Sequence, residues 1–234
     1  MKQEFIHIDF MDKLLKGPSM SKHDKPSKFM VLLHGYGDNA ANFMHLAQPL
    51  DEDDWGMHYV SLNAPSIMKG NLMGYQWFDL YPGGVYISNA GPKEYELVNQ
   101  EVELSVLKLE ETIKFYLEQL HLTTKDCFIM GFSQGGIMTF EYARRMNTTL
   151  GGIAIISGRI IQKNEKTNTS LQQTPIFISH GSEDDILPIS NFNQSTEYLK
   201  NNNYEFESHI VEGDSHTISP NTINLFKNFI KKNI

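Results

Sequence analysis

The sequence predicts an α/β fold, with a mostly parallel central sheet and helices on both faces. Three observations carry that expectation. Short, wholly apolar runs recur along the 234 residues, as strands buried on both faces require. Segments with apolar residues at helical spacing separate them. Tight, glycine-bearing turns follow several runs and lead into the helical segments, which suits a parallel strand passing into its crossover.

In chain order, Phe5-Ile6-His7-Ile8-Asp9-Phe10 alternates and reads as a first, edge strand. A polar extension follows through Lys28, with Gly17-Pro18 and Lys25-Pro26 as turn signals. Phe29-Met30-Val31-Leu32-Leu33 is a buried strand running into His34-Gly35-Tyr36-Gly37-Asp38. Asn39 to Leu50 reads as one helix, capped by Asp38 or Asn39. His58 to Leu62 is the next strand. Residues 66–92 show no regular period, yet are rich in apolar side chains such as Leu72, Met73, Trp77 and Phe78. A loop this long is usually functional. It either covers one end of the sheet or forms a cleft wall, and the Met73–Phe78 part reads as cleft.

Glu94 to Leu120 is the longest helical pattern, with Val98, Val102, Leu109, Ile113 and Leu117 on one stripe. Cys127 to Met130 is a strand and Ile137 to Arg145 a helix. Gly151 to Ile156 and Pro175 to His180 are further strands, separated by a polar excursion from Lys163 to Thr174. Asn191 to Asn202 is a helix, Tyr204 to Val211 a last strand, and Ser219 to Lys232 a closing helix. Residues 1–234 read as a single domain, with 1–28 as an N-terminal strand and polar extension.

Composition narrows the function. A net charge of −8 argues against non-specific binding to nucleic acid or to anionic membranes. No signal peptide and no apolar stretch long enough to span a bilayer is apparent, so a cytoplasmic protein without stable membrane insertion is expected. The single cysteine, Cys127, excludes an intramolecular disulfide and sits where strand packing is the natural use of a thiol.

The chemistry centres on Gly131-Phe132-Ser133-Gln134-Gly135-Gly136, a G-x-S-x-G between strand and helix. That context puts a serine on a sharp turn, with its hydroxyl lifted clear of the sheet beside a helix N-terminus. A serine hydroxyl needs a neighbouring base, normally a histidine oriented by a carboxylate. In parallel sheets such groups gather past the carboxyl ends of strands. Acid candidates there are Glu183, Asp184 and Asp185; the leading histidine is His216, after the last strand. His34 and His180 also lie at strand ends but do not follow the acid. Serine, acid, histidine is the chain order of an α/β-hydrolase. One oxyanion donor is expected from the N–H of Gln134 and the other from the glycine loop at His34–Gly37, with Tyr36 selected. No His-x-x-x-His or paired-cysteine spacing suggests a metal site.

With those residues in view, the chain resembles the phospholipase/carboxylesterase family of α/β-hydrolases, which includes the acyl-protein thioesterases. The match rests on Leu33-His34-Gly35-Tyr36-Gly37-Asp38, Gln76-Trp77-Phe78-Asp79, Gly131-Phe132-Ser133-Gln134-Gly135-Gly136, His180-Gly181 with Asp184, and His216. The resemblance implies Ser133 as nucleophile, Asp184 as acid and His216 as base, with Tyr36 and Gln134 as oxyanion donors. It implies a cleft bordered by Trp77, Phe78 and Ile186, to which the apolar 66–92 loop adds Leu72 and Met73 as expected substrate contacts. Two departures concern the substrate. Asp185 stands where many members have proline, and Arg159 where the thioesterases tend to carry an aromatic residue; Arg159 either faces the cleft or turns to solvent.

The function expected is cleavage of carboxylic esters or thioesters through an acyl-serine, most simply as a carboxylesterase and without a cofactor. Acyl-protein thioesterase and lysophospholipase activity are alternatives on the same triad, and a silent binding module is the rival from outside enzymes. The substrate is a small ester or acyl compound, lipids and acylated proteins included, and the protein a monomer or homodimer.

Overall fold

The structure, a computed structural model, describes residues 14–68, 70–161 and 169–234. The strand expected at Phe5–Phe10 lies outside the described residues. The strands, in chain order, are β1 (Ser19–Ser21), β2 (Lys28–Leu33), β3 (Met57–Leu62), β4 (Ser66–Ile67), β5 (Tyr75–Gln76), β6 (Cys127–Phe132), β7 (Gly152–Ile156), β8 (Ile176–Gly181) and β9 (Phe206–Val211). Among the described residues they form a seven-stranded sheet in the order β1-β3-β2-β6-β7-β8-β9, and a two-stranded sheet of β4 and β5. Within the large sheet only β1 runs antiparallel to its neighbour; the other pairs are parallel. This is the α/β-hydrolase arrangement.

Because side chains alternate along a strand, β2 sends Phe29, Val31 and Leu33 to one core and Met30 and Leu32 to the other. β6 divides in the same way, Cys127 and Ile129 against Phe128 and Met130. On the first face lie α3 (Pro92–Leu120) and α4 (Gln134–Arg145), with α6 (Ile189–Asn201) beside them. On the second lie α1 (Ala40–Phe43), α2 (Ala47–Leu50) and α7 (Pro220–Asn233). A further short helix, α5 (Thr169–Gln172), packs Leu171 into the first core. The buried stripe of α3 includes Val98, Val102, Leu109, Ile113 and Leu117, each stabilising by roughly 1.5–3 kcal/mol on burial. Cys127 is wholly buried at the start of β6, and burial pushes its thiol pKa far up, so it packs as an apolar group.

Three elements differ from expectation. β1, inside what reads as a polar extension, pairs Ser19–Ser21 with β3. At three residues it is too short to carry a readable alternating pattern; its pairing with β3 defines it, with Met20 packed against the second core. The helix expected at 39–50 is broken into α1, a 3-10 turn over Met44–Leu46, and α2. Pro49 supplies the reason: it has no N–H to donate and its ring crowds the carbonyl of His45, inside the 3-10 turn. Residues 66–92, without period, still contain the β4–β5 pairing, Ser66 opposite Gln76 and Ile67 opposite Tyr75. Among the described residues no helix is long and apolar enough to cross a membrane.

The strand order has one consequence for chemistry. After β2 the chain moves outward to β3, then returns across the sheet to β6 on the other side of β2. The carboxyl ends of β2 and β6 therefore border the crevice where strand order reverses, the usual ligand position in open α/β sheets.

Candidate active site

Ser133 directly follows β6 at that crevice and is the N-cap of α4, with φ 53° and ψ −115°. A side-chain-bearing residue with positive φ is strained by about 1–3 kcal/mol and persists only when its surroundings fix it. They do so here: the Ser133 N–H donates to Ile156 O at 2.9 Å, and its carbonyl accepts from Ile137 N–H at 3.1 Å. The flanking glycines are required by contact. A methyl at Gly131 would overlap the Gly135 carbonyl, and one at Gly135 the carbonyl of Leu33 at the end of β2. The turn can thus lie directly against the β2 loop.

Asp184 and His216 reach the same end of the sheet through the loops after β8 and β9. Those loops are joined: Glu183 N–H donates to Asp214 O at 2.9 Å and Gly213 N–H to Ser182 Oγ at 2.9 Å. Gly181 permits the approach, since a side chain there would strike the carbonyls of Asp214 and Ser215. His216 Nδ1 lies 2.7 Å from Asp184 Oδ2. The other oxygen, Oδ1, accepts from Ile186 N–H at 3.1 Å and Leu187 N–H at 2.7 Å, an Asx-type turn that fixes the carboxylate. Glu183 and Asp185, left open by the residue pattern, are both exposed, whereas the side chain of Asp184 is fully covered. The His216 ring packs on Phe132, next to Ser133, with centroids 4.8 Å apart.

His180 lies beneath this pair. Its Nε2 donates to Leu187 O at 2.6 Å, which assigns the proton to that nitrogen, and it is also 3.3 Å from Asp184 Oδ2. A histidine before the acid in the chain therefore supports the loop that carries the acid. His34 also supports a loop. Its Nε2 accepts from Ala64 N–H at 3.1 Å, so its Nδ1–H donates to Gly35 O at 2.7 Å. Burial lowers its pKa and keeps the ring neutral.

That ring holds the His34–Gly37 loop beside Ser133. Gly37 N–H is taken by Tyr75 O at 2.9 Å and Asp38 N–H by Gly35 O at 3.3 Å. Among the described residues the N–H groups of Tyr36 and Gln134 have no acceptor, and both residues line one cavity with Ser133. Two unengaged backbone donors in one cavity with a hydroxyl are the kind of groups a developing oxyanion requires.

The cavity measures about 380 Å³. Its apolar wall is built by Leu80, Tyr86, Ile87, Ile137, Ile186 and Leu187, with Arg159 and Asn191 at one side. Of the substrate contacts expected from the sequence, Arg159 and Ile186 line it and four residues do not. Leu72 and Met73 are exposed on the β4–β5 connection. Trp77 and Phe78 are buried in the core at 1% exposure each. They act on the site from behind. Trp77 Nε1 donates to His34 O at 2.9 Å, and Ser105 Oγ donates to Trp77 O at 2.6 Å.

Gln134 connects them to the serine turn. Its side-chain Oε1 accepts from Trp77 N–H at 2.9 Å and its Nε2 donates to Phe78 O at 2.8 Å. Sequence reasoning assigns Gln134 a role for its backbone alone. A glutamine at the buried first position of a helix needs partners for its amide, and that requirement is the signal for this clamp. Gln134→Ala is expected to orphan two buried backbone groups and to destabilise the protein by about 1–3 kcal/mol for each. Urea unfolding checks this; an unchanged midpoint contradicts it.

A family model described as phospholipase/carboxylesterase matches residues 19–234. Among curated relatives, acyl-protein thioesterase 1 of Saccharomyces cerevisiae is 26% identical over 220 residues, covering 88% of this chain and 92% of that protein. A probable carboxylesterase of Oryza sativa subsp. japonica is 24% identical over 234 residues, covering 95% and 84%. Among solved structures, esterase PE8 superposes with a TM-score of 0.81 at 23% identity, covering 94% of this chain and all of that one. The Bacillus cereus carboxylesterase does so with a TM-score of 0.78 at 16% identity, covering 97% and 99%. At such identities these two structures speak for the fold.

Proposed function

The chain belongs to the phospholipase/carboxylesterase family, and we propose that it cleaves carboxylic esters through an acyl-serine formed on Ser133. His216 takes the Ser133 proton as the hydroxyl attacks the ester carbonyl. Asp184 holds His216 with Nδ1 protonated, leaving Nε2 to accept, and stabilises the imidazolium that results. The N–H groups of Tyr36 and Gln134 receive the tetrahedral oxyanion, each worth about 3 kcal/mol to the transition state. His216 returns the proton to the leaving alcohol and then activates water for deacylation.

The observation that carries this reading is the cavity itself. It joins a serine in a strained turn, two unengaged backbone donors and an apolar wall, next to a histidine bonded to a covered carboxylate. Tyr36, whose phenol pKa is raised by burial, also lines that cavity.

A carboxylesterase acting on short to medium acyl chains fits the cavity's size. A thioesterase or lysophospholipase acting on lipidated substrates is the second reading. It is favoured by the exposed apolar residues Ile67, Leu72 and Met73 on the β4–β5 hairpin and by the thioesterases among the relatives. The two are separated by acyl-chain profiling on p-nitrophenyl esters together with a palmitoyl-cysteine peptide. Butyrate to octanoate esters are expected to be cleaved faster than palmitate. Faster release from the palmitoyl thioester would select the second reading, and no hydrolysis of any substrate would overturn both.

A further inference from the structure

Arg159 is the one feature of the cavity that a simple ester does not explain. It follows β7 in a turn set by Ser157, whose φ is 45°. Gly158 brings that turn against the serine segment, since a methyl on it would lie 3.1 Å from Ser133 O. The next residue, Ile160, is anchored by its N–H to Ser195 Oγ at 3.0 Å. The guanidinium is therefore delivered to the cavity by a fixed backbone.

Arg159 lines both the Ser133 cavity and an adjoining space of about 270 Å³ bordered by Tyr95, Asn191 and Gln194. Among the described residues it has no carboxylate partner, and no carboxylate lines either space. Its one hydrogen bond there is a long one, 3.4 Å from Nη1 to Asn191 Oδ1. Asn191 is itself tied back by Nδ2 to Pro188 O at 3.1 Å. A guanidinium offers five donors in a planar fork, suited to bidentate pairing with carboxylate or phosphate. A half-buried cation facing an apolar wall is costly until an anion reaches it. Among the described residues no other cationic side chain lines either space.

We propose that Arg159 selects esters carrying an anionic oxygen group, carboxylate or phosphate, on the part of the substrate remote from the scissile bond. The proposal rests on the serine-hydrolase reading of the same cavity. The substrate reacts at Ser133 while its anion lies across the guanidinium, in or toward the adjoining space.

Matched pairs test it. Monoethyl adipate against ethyl hexanoate places a carboxylate on the acyl half. 4-Acetoxybutanoate against butyl acetate places it on the alcohol half, and 3-acetoxypropyl phosphate supplies the phosphate there. Acid release is followed for the wild type, Arg159→Gln and Arg159→Lys. In at least one pair the wild type is expected to prefer the anionic ester. Arg159→Gln should lower kcat/KM for that ester by about tenfold or more while changing the neutral one by less than about threefold. Arg159→Lys should recover part of the loss, as a point charge without the fork. The responding pair identifies the half and the anion. Neutral esters outrunning every anionic partner in the wild type would overturn the proposal, as would an equal effect of Arg159→Gln on both members. Turnover of the neutral esters keeps the hydrolase reading intact in either case. Hydrolysis of none of them would remove that reading and this proposal together.

Discussion

Ser133→Ala is expected to lower kcat/KM for ester hydrolysis by about a millionfold, the scale on which loss of the nucleophile in a serine triad is felt. The backbone around it is held by hydrogen bonds of its own, from Ser133 N–H to Ile156 O and from Ile137 N–H to Ser133 O. Neither involves the hydroxyl. Alanine at φ 53° meets the same steric cost as serine, so thermal unfolding should be nearly unchanged. Residual activity should come from the Tyr36 and Gln134 donors acting on a bound ester attacked by water. Single-turnover kinetics with a p-nitrophenyl ester checks this. A variant that keeps more than about a hundredth of wild-type activity would place the nucleophile elsewhere.

Asp184→Asn carries the second large effect, a loss of about ten-thousandfold in kcat. Asp184 Oδ2 accepts from His216 Nδ1 at 2.7 Å. An amide NH₂ in that position donates instead, which drives the His216 proton to Nε2 and leaves no lone pair for the Ser133 hydroxyl. The amide oxygen can still accept from Ile186 and Leu187 N–H, as Oδ1 does. The loop should therefore survive and the loss should fall on catalysis. Steady-state kinetics alongside circular dichroism separates the two. A loss below about tenfold would mean that Asp184 holds the loop and does not set the tautomer.

How far the chain could be read from its residues follows from the physics of each part. The central strands were legible because strands buried on both faces are apolar throughout, as Phe29–Leu33 and Cys127–Met130 are. Parallel topology then collects strand ends on one edge, which is why Ser133, His216 and an acid among Glu183, Asp184 and Asp185 could be nominated from position, with Asp184 singled out only by the family resemblance. β1 was not legible, because a single apolar residue, Met20, between two serines at an edge is too short to carry a periodic signal. Nor was the break in the 39–50 segment, where one proline outweighs an otherwise continuous helical pattern.

The apolar residues of 66–92 illustrate a different limit. Hydrophobicity tells that a side chain will be covered, but not by what. Trp77 and Phe78 are covered by the core and by the Gln134 clamp, while Leu72 and Met73 stay in solvent. The long-range bonds that decide between such outcomes leave no local trace. The supporting roles of His34 and His180 are hidden for the same reason: His34 depends on the Ala64 N–H, and His180 on the Leu187 carbonyl and Asp184 carboxylate, groups that only the folded loops bring into reach.

The central claim is that Ser133 becomes covalently modified when an ester-like electrophile enters its cavity. Intact-mass spectrometry after a fluorophosphonate probe tests that directly. One adduct per chain is expected for the wild type, mapped to the peptide bearing Ser133, and none for Ser133→Ala. Absence of an adduct on the folded wild type, or an adduct that survives Ser133→Ala, would contradict the account.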